Sequence, residues 1–508
     1  MNPTGKLALF DPREEVEVRG PELRKALGLI TLAWVFGSVW ITATAGAPLA
    51  LFAKALRASN FEFGVLSALP FMASLLSVPA SLLIERTGAR KKIFFYGLYT
   101  QRLLWFVIAL VPLTIVRMWG FAAVGEAMAM FLILMFLMHA CQSVGGPAWT
   151  SWMADLVPDR RRGKYFARRR QWGLLSAIPA ALFAGWILDR TGAGSLGNPL
   201  VTLGWCAILF MIAAVFGVAD IHLFQHVPEI PRAGRSGSTL FTALSEPLCN
   251  RHFLWFAACV ATLLFAVSFM GQFVTLYLID RVGVNNTQIQ LILLVAPSIA
   301  QLLLLPVWGA AVDRMGKKPV LAIAALGLVP VGVGWSFLGS GNIWLGYLLA
   351  GGGAAFWTGV EVANLNLVLE MSGSNDDDDN PGGGSAYVAV NSVIVNISGC
   401  LGGLSAGLIA QGLRNWHWTP AFALGKTFTF YDILFGVSGL LRFVAAVLFL
   451  PHIVELGAKP AREALRFMTA NIYNNLFDAA LQPIRFVQVK LRESYVESDE
   501  WKSDDKEK

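Results

Sequence analysis

Gly309-Ala310-Ala311-Val312-Asp313-Arg314-Met315-Gly316-Lys317-Lys318-Pro319 is a short polar turn wedged between two long apolar runs. A glycine one helical turn before an aspartate lets two helices approach closely. Gly316 can take the positive φ of a tight turn, and the paired lysines hold that turn on one side of a bilayer. An imperfect copy lies earlier, at Ser81-Leu82-Leu83-Ile84-Glu85-Arg86-Thr87-Gly88-Ala89-Arg90-Lys91, with Glu85 for Asp313 and Gly88 for Gly316. Both pairs are separated by the same number of positions. Two equivalent turns at one offset, each between hydrophobic segments, predict a chain made of two related membrane halves.

Composition agrees. Of 508 residues, 56% are hydrophobic and only 14% charged, whereas soluble domains average about 45–50% and about 25%. The natural unit is therefore the membrane span of roughly 20 apolar residues. A net charge of +7 invites a nucleic-acid reading, but Lys and Arg concentrate in the loops expected on the inner side, as the positive-inside rule requires, and that reading is excluded. Cys141, Cys206, Cys259 and Cys400 fall inside spans, Cys249 falls in a loop, and no C-x-x-C occurs. Neither a disulfide framework nor a metal site is expected. Acidic residues Asp11, Glu14, Glu15 and Glu17 precede the first span, which lacks a basic-then-apolar leader pattern and is expected to stay in the protein.

Twelve spans are predicted, all helical: 25–53, 61–84, 93–116, 121–153, 167–189 and 199–225, then 252–279, 287–312, 319–339, 343–371, 385–411 and 428–451. The expected organisation is a polar arm at 1–24, a six-helix bundle at 25–225, a linker at 226–251 rich in Pro, Gly and Ser, a second bundle at 252–451, and a tail at 452–508. The arm, linker and tail are placed on the cytoplasmic side of the cell membrane. In the tail, Leu465, Met468, Ile472, Leu476 and Ala479 recur at helical spacing and predict an amphipathic helix on the inner leaflet. Four adjacent aspartates and a glycine run between Met371 and Ser385 predict a solvated loop without packed structure. It lacks the alternating oxygen ligands and closing glutamate of a calcium loop.

The pattern G-x-x-x-D-R-x-G-[RK]-[RK], complete at Gly309–Lys318 and degenerate at 81–91, resembles the signature of the major facilitator superfamily of secondary transporters. The first copy departs from it at Ser81, Glu85 and Ala89. The chain is similar to bacterial members of that superfamily over nearly the whole span region. The resemblance implies two pseudo-symmetric six-helix bundles whose first, fourth, seventh and tenth helices line a central cavity. It also implies an inner gate at Glu85, Arg86, Gly88 and Arg90, at Gly309, Asp313, Arg314, Gly316 and Lys317, and in the basic loop at Arg162 and Gly163.

The residues mark the same four helices independently. A polar side chain in a bilayer must face another helix or an aqueous cavity. Polar groups recur on one face of the first span (Thr31, Trp34, Ser38, Thr42), the fourth (His139, Gln142, Ser143), the seventh (Ser268, Gln272, Thr275) and the tenth (Trp357, Glu361, Asn364). Glu361 is the leading candidate for proton coupling, because a carboxylate within a span costs at least ~2.5 kcal/mol unless hydrated, paired or protonated. Its bland alternative is a structural hydrogen bond. Glu126, in the outer part of the fourth span, is a weaker candidate. Arg102 and Arg442 are expected to be paired or snorkelling outside the cavity.

Gly403-Leu404-Ser405-Ala406-Gly407 matches the nucleophile elbow of hydrolases, but lies in one hydrophobic helix where Gly399, Gly403 and Gly407 form a ridge for close packing. Gly351-Gly352-Gly353 lacks a phosphate-loop lysine and is expected to bend the tenth helix. No converging catalytic set is found, so an enzyme is the least favoured class. The favoured reading is a monomeric secondary transporter of a small neutral, amphipathic or weakly acidic solute, without a cofactor, coupled to protons through Glu361. A non-transporting sensor or lipid flippase is the alternative. The two turns are expected to latch the halves when the inner side closes, Glu85 against the helix start near 385–387 and Asp313 against that near 163–167, each contact contributing about 0.3–1 kcal/mol.

Overall fold

The structure, a computed structural model, describes residues 20–193, 198–229, 247–373, 383–419, 427–455 and 457–470. Most of the arm, of the linker and of the acidic loop lies outside those residues, as do Ile472, Leu476 and Ala479 of the tail. Among the described residues, twelve helical rods follow one another. In the first half they are α1 (Pro21–Ala55), α2 (Asn60–Thr87), α3 (90–119), α4 (Val124–Leu156), α5 (Asp159–Arg190) and α6 (Pro199–Leu223). In the second half they are α7 (Arg251–Val282), α8 (Asn286–Met315), α9 (Lys317–Gly334), α10 (Trp344–Gly373), α11 (Gly383–Gly412) and α12 (Phe430–His452). At 1.5 Å per residue even the shortest is about the thickness of a bilayer core. A two-residue hairpin, β1 (His417–Trp418) with β2 (Phe428–Thr429), precedes α12.

Local chemistry sets the helix ends. Ser59 and Glu62 form a capping box at the start of α2, Asn198 caps α6, Asn250 caps α7, Asn285 caps α8, and Thr429 with Asp432 caps α12. Gly120 (φ 73°) separates α3 from α4. Within a rod, Gly46 (φ 68°) breaks α1 and Gly271 (φ 26°) breaks α7, freeing backbone groups that neighbouring helices must satisfy. By contrast α10 runs uninterrupted through Gly351–Gly353, so the expected bend is replaced by a continuous helix.

The two turns sit on one face, the basic face, with Gly88 at φ 64° and Gly316 at φ 101° as their sequences require. At the far face the halves are fused. One apolar cluster joins Phe52, Trp105 and Phe210 to Phe273, Tyr277 and Phe435. Toward the basic face the core splits, one cluster holding Ile30, Phe94 and Trp152, the other Phe256, Trp308 and Leu328. The far-face seal is built from small residues: a Cβ at Gly403 would lie 2.9 Å from the Ala68 nitrogen, and one at Gly407 2.8 Å from Gly64 Cα. The predicted glycine ridge of α11 is thus what lets α2 cross it. Polar contacts add to the seal. Gln290 accepts from the Ala47 amide (3.2 Å) and donates to the Thr42 carbonyl (3.2 Å), plugging the break in α1, and Lys54 pairs with Asp280. This is a conformation closed at the far face.

Two expectations are corrected at the basic face. A Cβ at Gly309 would meet nothing within 4 Å, so no helix approaches closely there in this conformation. The described start of the tail is held by protein rather than by the leaflet alone. Ala464 and Met468 are buried against the second half, the Lys459 amide donates to the Met315 carbonyl (3.0 Å), and Arg314 lies over the Phe467 ring.

Candidate functional site

A cavity of about 180 Å³ lies between the halves, walled by Trp34, Ser38 and Thr42 of α1, Arg170 and Gly173 of α5, and Ser298 of α8. Gly173 has no room for a side chain, since a Cβ there would fall 2.6 Å from Ser38 Oγ. The hydroxyls expected to face substrate are engaged within their own helix: Ser38 Oγ donates to the Trp34 carbonyl and Thr42 Oγ1 to the Ser38 carbonyl, each at 2.8 Å. Across from them Glu361 is exposed and accepts from Trp357 Nε1 at 2.9 Å, with Arg170 as the cation whose field reaches it. Arg170 in turn donates to Gln301, about halfway along α8, and so ties the halves together.

The α7 face departs from expectation. Ser268 is buried, and Gln272 sits at the helix break, where its amide donates to Ser67 Oγ of α2 at 2.9 Å. Both belong to the far-face seal. Asn364 accepts from Asn391 Nδ2 at 3.3 Å, linking α10 to α11. Glu126 is exposed in the first turn of α4, at the outer end of the span as expected, and lines neither cavity.

A second cavity, about 320 Å³, opens inside the first half between Trp34, Trp40, Gln142, Trp149 and Arg169. Its floor is a buried ion pair, Arg102 Nη2 to Asp220 Oδ2 at 3.0 Å. The Arg102 guanidinium also donates to Gln101 Oε1 (2.8 Å) and lies 3.5 Å over the Trp40 ring, while Gln101 donates to Gln142 Oε1 at 3.2 Å. His139 shares a hydrogen bond with Gln142. Two glycines make the pair possible. A Cβ at Gly37 would lie 2.8 Å from Asp220 Oδ2, and one at Gly217 3.0 Å from Trp40. Arg102 is paired, as expected, and lies outside the cavity between the halves; the wall it forms is that of this second cavity. Asp220 was missed, although an acidic residue inside the sixth span was itself the signal. Trp34 walls both cavities.

The gate residues divide. Glu85, Arg86, Asp313 and Arg314 are exposed on the basic face, and the expected latch is not formed in this conformation. Arg90 is buried and donates to Asp155 (2.5 Å) and to the Ser151 carbonyl (3.0 Å). Arg162 donates to the Ala154 carbonyl at 2.6 Å, a cation on the carboxyl end of α4, immediately before Gly163 in α5. The carboxylates that do sit on helix amino ends are others. Glu229 accepts from the Lys91 amide at 3.0 Å, and Glu455 from the amides of Lys317 (2.9 Å) and Lys318 (2.7 Å). Each lies 138 positions after its lysine. The stretches His226-Val227-Pro228-Glu229 and His452-Ile453-Val454-Glu455 were a further copy of the internal repeat. Lys317 also reaches Glu370 at 2.7 Å.

Comparisons with known proteins bear on this arrangement. The ectoine/proline transporter ProP of Corynebacterium glutamicum is 25% identical over 216 residues, 38% of this chain and 42% of that protein. The chain thus matches less than half the length of that curated relative. Among solved structures, the nucleoside transporter NupG superposes with a TM-score of 0.57 at 14% identity, covering 86% of this chain and all of that one. A D-xylose–proton symporter gives 0.57 at 16% identity, covering 85% and 99%. These similarities show the fold. The sequence profile of the Major Facilitator Superfamily matches residues 29–403, most of the chain, whose described helices are long and apolar enough to cross a membrane, and the protein belongs to that superfamily.

Proposed function

We propose that the chain is a secondary active transporter that moves a small solute through the crevice between its halves, at 25–225 and 252–451, by alternating access. The reading is carried by one observation: the halves share an apolar core at the far face and have separate cores at the basic face. Rocking one half against the other would exchange which side is sealed. The exposed carboxylates Glu85 and Asp313 are the groups we assign to closing the basic face, which we place in the cytoplasm.

Glu361 is assigned to proton coupling. It is exposed, accepts a hydrogen bond from Trp357, and lies within the field of Arg170 of the other half. A carboxylate hydrated in one conformation and enclosed in the other changes its proton affinity with the conformational cycle. The solute-coupled relatives support this reading: ProP is an ectoine/proline transporter, and the xylose protein is a proton symporter. Uptake of a solute panel into proteoliposomes, with and without an imposed pH gradient, tests it. Gradient-dependent accumulation of one solute supports the proposal. Absence of uptake for every solute, with protein correctly folded and inserted, rejects it.

A further inference from the structure

We infer that Arg169, boxed between Trp34 and Trp149, is an anion subsite that takes the carboxylate of a small organic acid. The inference rests on the transporter reading above and names its substrate class. The Arg169 guanidinium lies 4.3 Å from the Trp34 ring centre and 4.9 Å from that of Trp149. Among the described residues it makes no hydrogen bond and no ion pair, and its Nε is buried without an acceptor. Two neighbouring donors on the same wall, Arg102 Nε and Trp40 Nε1, are equally unsatisfied.

The wall is short of acceptors. Asp220 is committed to Arg102, Gln101 Oε1 accepts from Arg102, and Gln142 Oε1 accepts from Gln101. Two guanidinium groups thus face one carboxylate, and a buried donor without a partner costs about 1–3 kcal/mol. A second carboxylate, brought by a ligand, removes that deficit. The guanidinium fork matches a carboxylate in two parallel hydrogen bonds. The flanking indole rings fix the plane of the fork. The cavity, about 320 Å³, has room for an acid of roughly ten heavy atoms, taking ~30 Å³ for each water-sized group. Ile41, Phe94 and Leu98 give its apolar body a matching surface. Trp34, which also walls the inter-half crevice, marks the route of entry.

Calorimetric titration of the purified full-length protein in detergent tests the subsite with acids and their neutral amides: benzoate against benzamide, and acetate against acetamide. At fixed ionic strength at least one acid should bind about tenfold or more tightly than its amide, the equivalent of a charged hydrogen bond. Arg169→Gln should abolish that preference, Arg169→Lys should retain part of it, and Arg190→Gln, at the far end of the same helix, should leave it unchanged. Equal binding of acid and amide in both pairs overturns the inference, as does a preference that survives Arg169→Gln. Should Arg169→Gln aggregate, the acid–amide comparison on the unaltered protein decides. Binding is read without transport, so failure of the subsite leaves uptake of neutral solutes intact, whereas failure of the transport reading leaves the acid preference intact.

Discussion

Asp189 at the end of α5 and Thr287 at the start of α8 join the two halves of the molecule at the far face. The Thr287 amide donates to Asp189 Oδ2 at 3.1 Å and its hydroxyl to the same oxygen at 2.7 Å. The other oxygen accepts from the Asn286 amide at 2.7 Å. One half therefore supplies the amino-terminal cap of a helix in the other. Caps of this kind contribute about 1 kcal/mol. Asp189→Ala is expected to shift the conformational balance roughly fivefold toward a far face that opens. Labelling of a cysteine placed at Ser298 by an impermeant thiol reagent added from the far side should rise accordingly, and an unchanged rate would show that this cap does not hold the seal.

The Arg102–Asp220 pair is buried on both sides. Removing one partner leaves the other charge without compensation, a cost of about 3–5 kcal/mol. Asp220→Asn should lower the thermal unfolding midpoint strongly in detergent. The double variant Arg102→Gln with Asp220→Asn should recover much of that loss, because no lone charge is left behind. A single variant as stable as the parent would mean the pair is hydrated, and the account of this cavity would need revision.

Glu361→Gln keeps the shape of the side chain and an acceptor for Trp357 but cannot exchange a proton. Uptake driven by a pH gradient should fall to the level of uptake without one, while solute exchange at equal pH continues. If both fall together, Glu361 binds solute or supports the helix instead of coupling protons.

Glu455 and Asp313 look equivalent in sequence, each an acid near a basic turn, yet the structure separates them. Glu455 serves two backbone amides, so Glu455→Gln should cost about 1–2 kcal/mol of stability. Asp313 is exposed, and Asp313→Asn should stay within about 0.5 kcal/mol of the parent while enlarging the population open at the basic face. Denaturation and an accessibility assay, run on both variants, distinguish the roles.

What the sequence made legible follows from local physics. The turns at Gly88 and Gly316 had to be positive-φ turns, and the glycines at 399, 403 and 407 had to be a packing face, because both properties depend on residues close in the chain. Trp34, Ser38 and Thr42, which recur on one face of α1 and wall the first cavity, were visible for the same reason. Asp220 was visible as an acid inside an apolar span, but its partner was not, because Arg102 lies on another helix far away in the chain. The stripe on α7 misled. Gly271 breaks that helix, so Ser268 and Gln272 no longer share a face with a continuous rod. Arg169 belonged to a basic run whose simplest explanation was membrane orientation, and only the indole rings of α1 and α4 distinguish it from its neighbours.

The central claim is that the halves rock about a shared crevice. Pulsed electron–electron distance measurement between spin labels at Arg86 and Arg314, both exposed on the basic face, tests it most directly in lipid nanodiscs. The account predicts two populations, with the shorter distance gaining weight when Asp189→Ala weakens the far-face seal. A single distance, unmoved by that substitution, would contradict it.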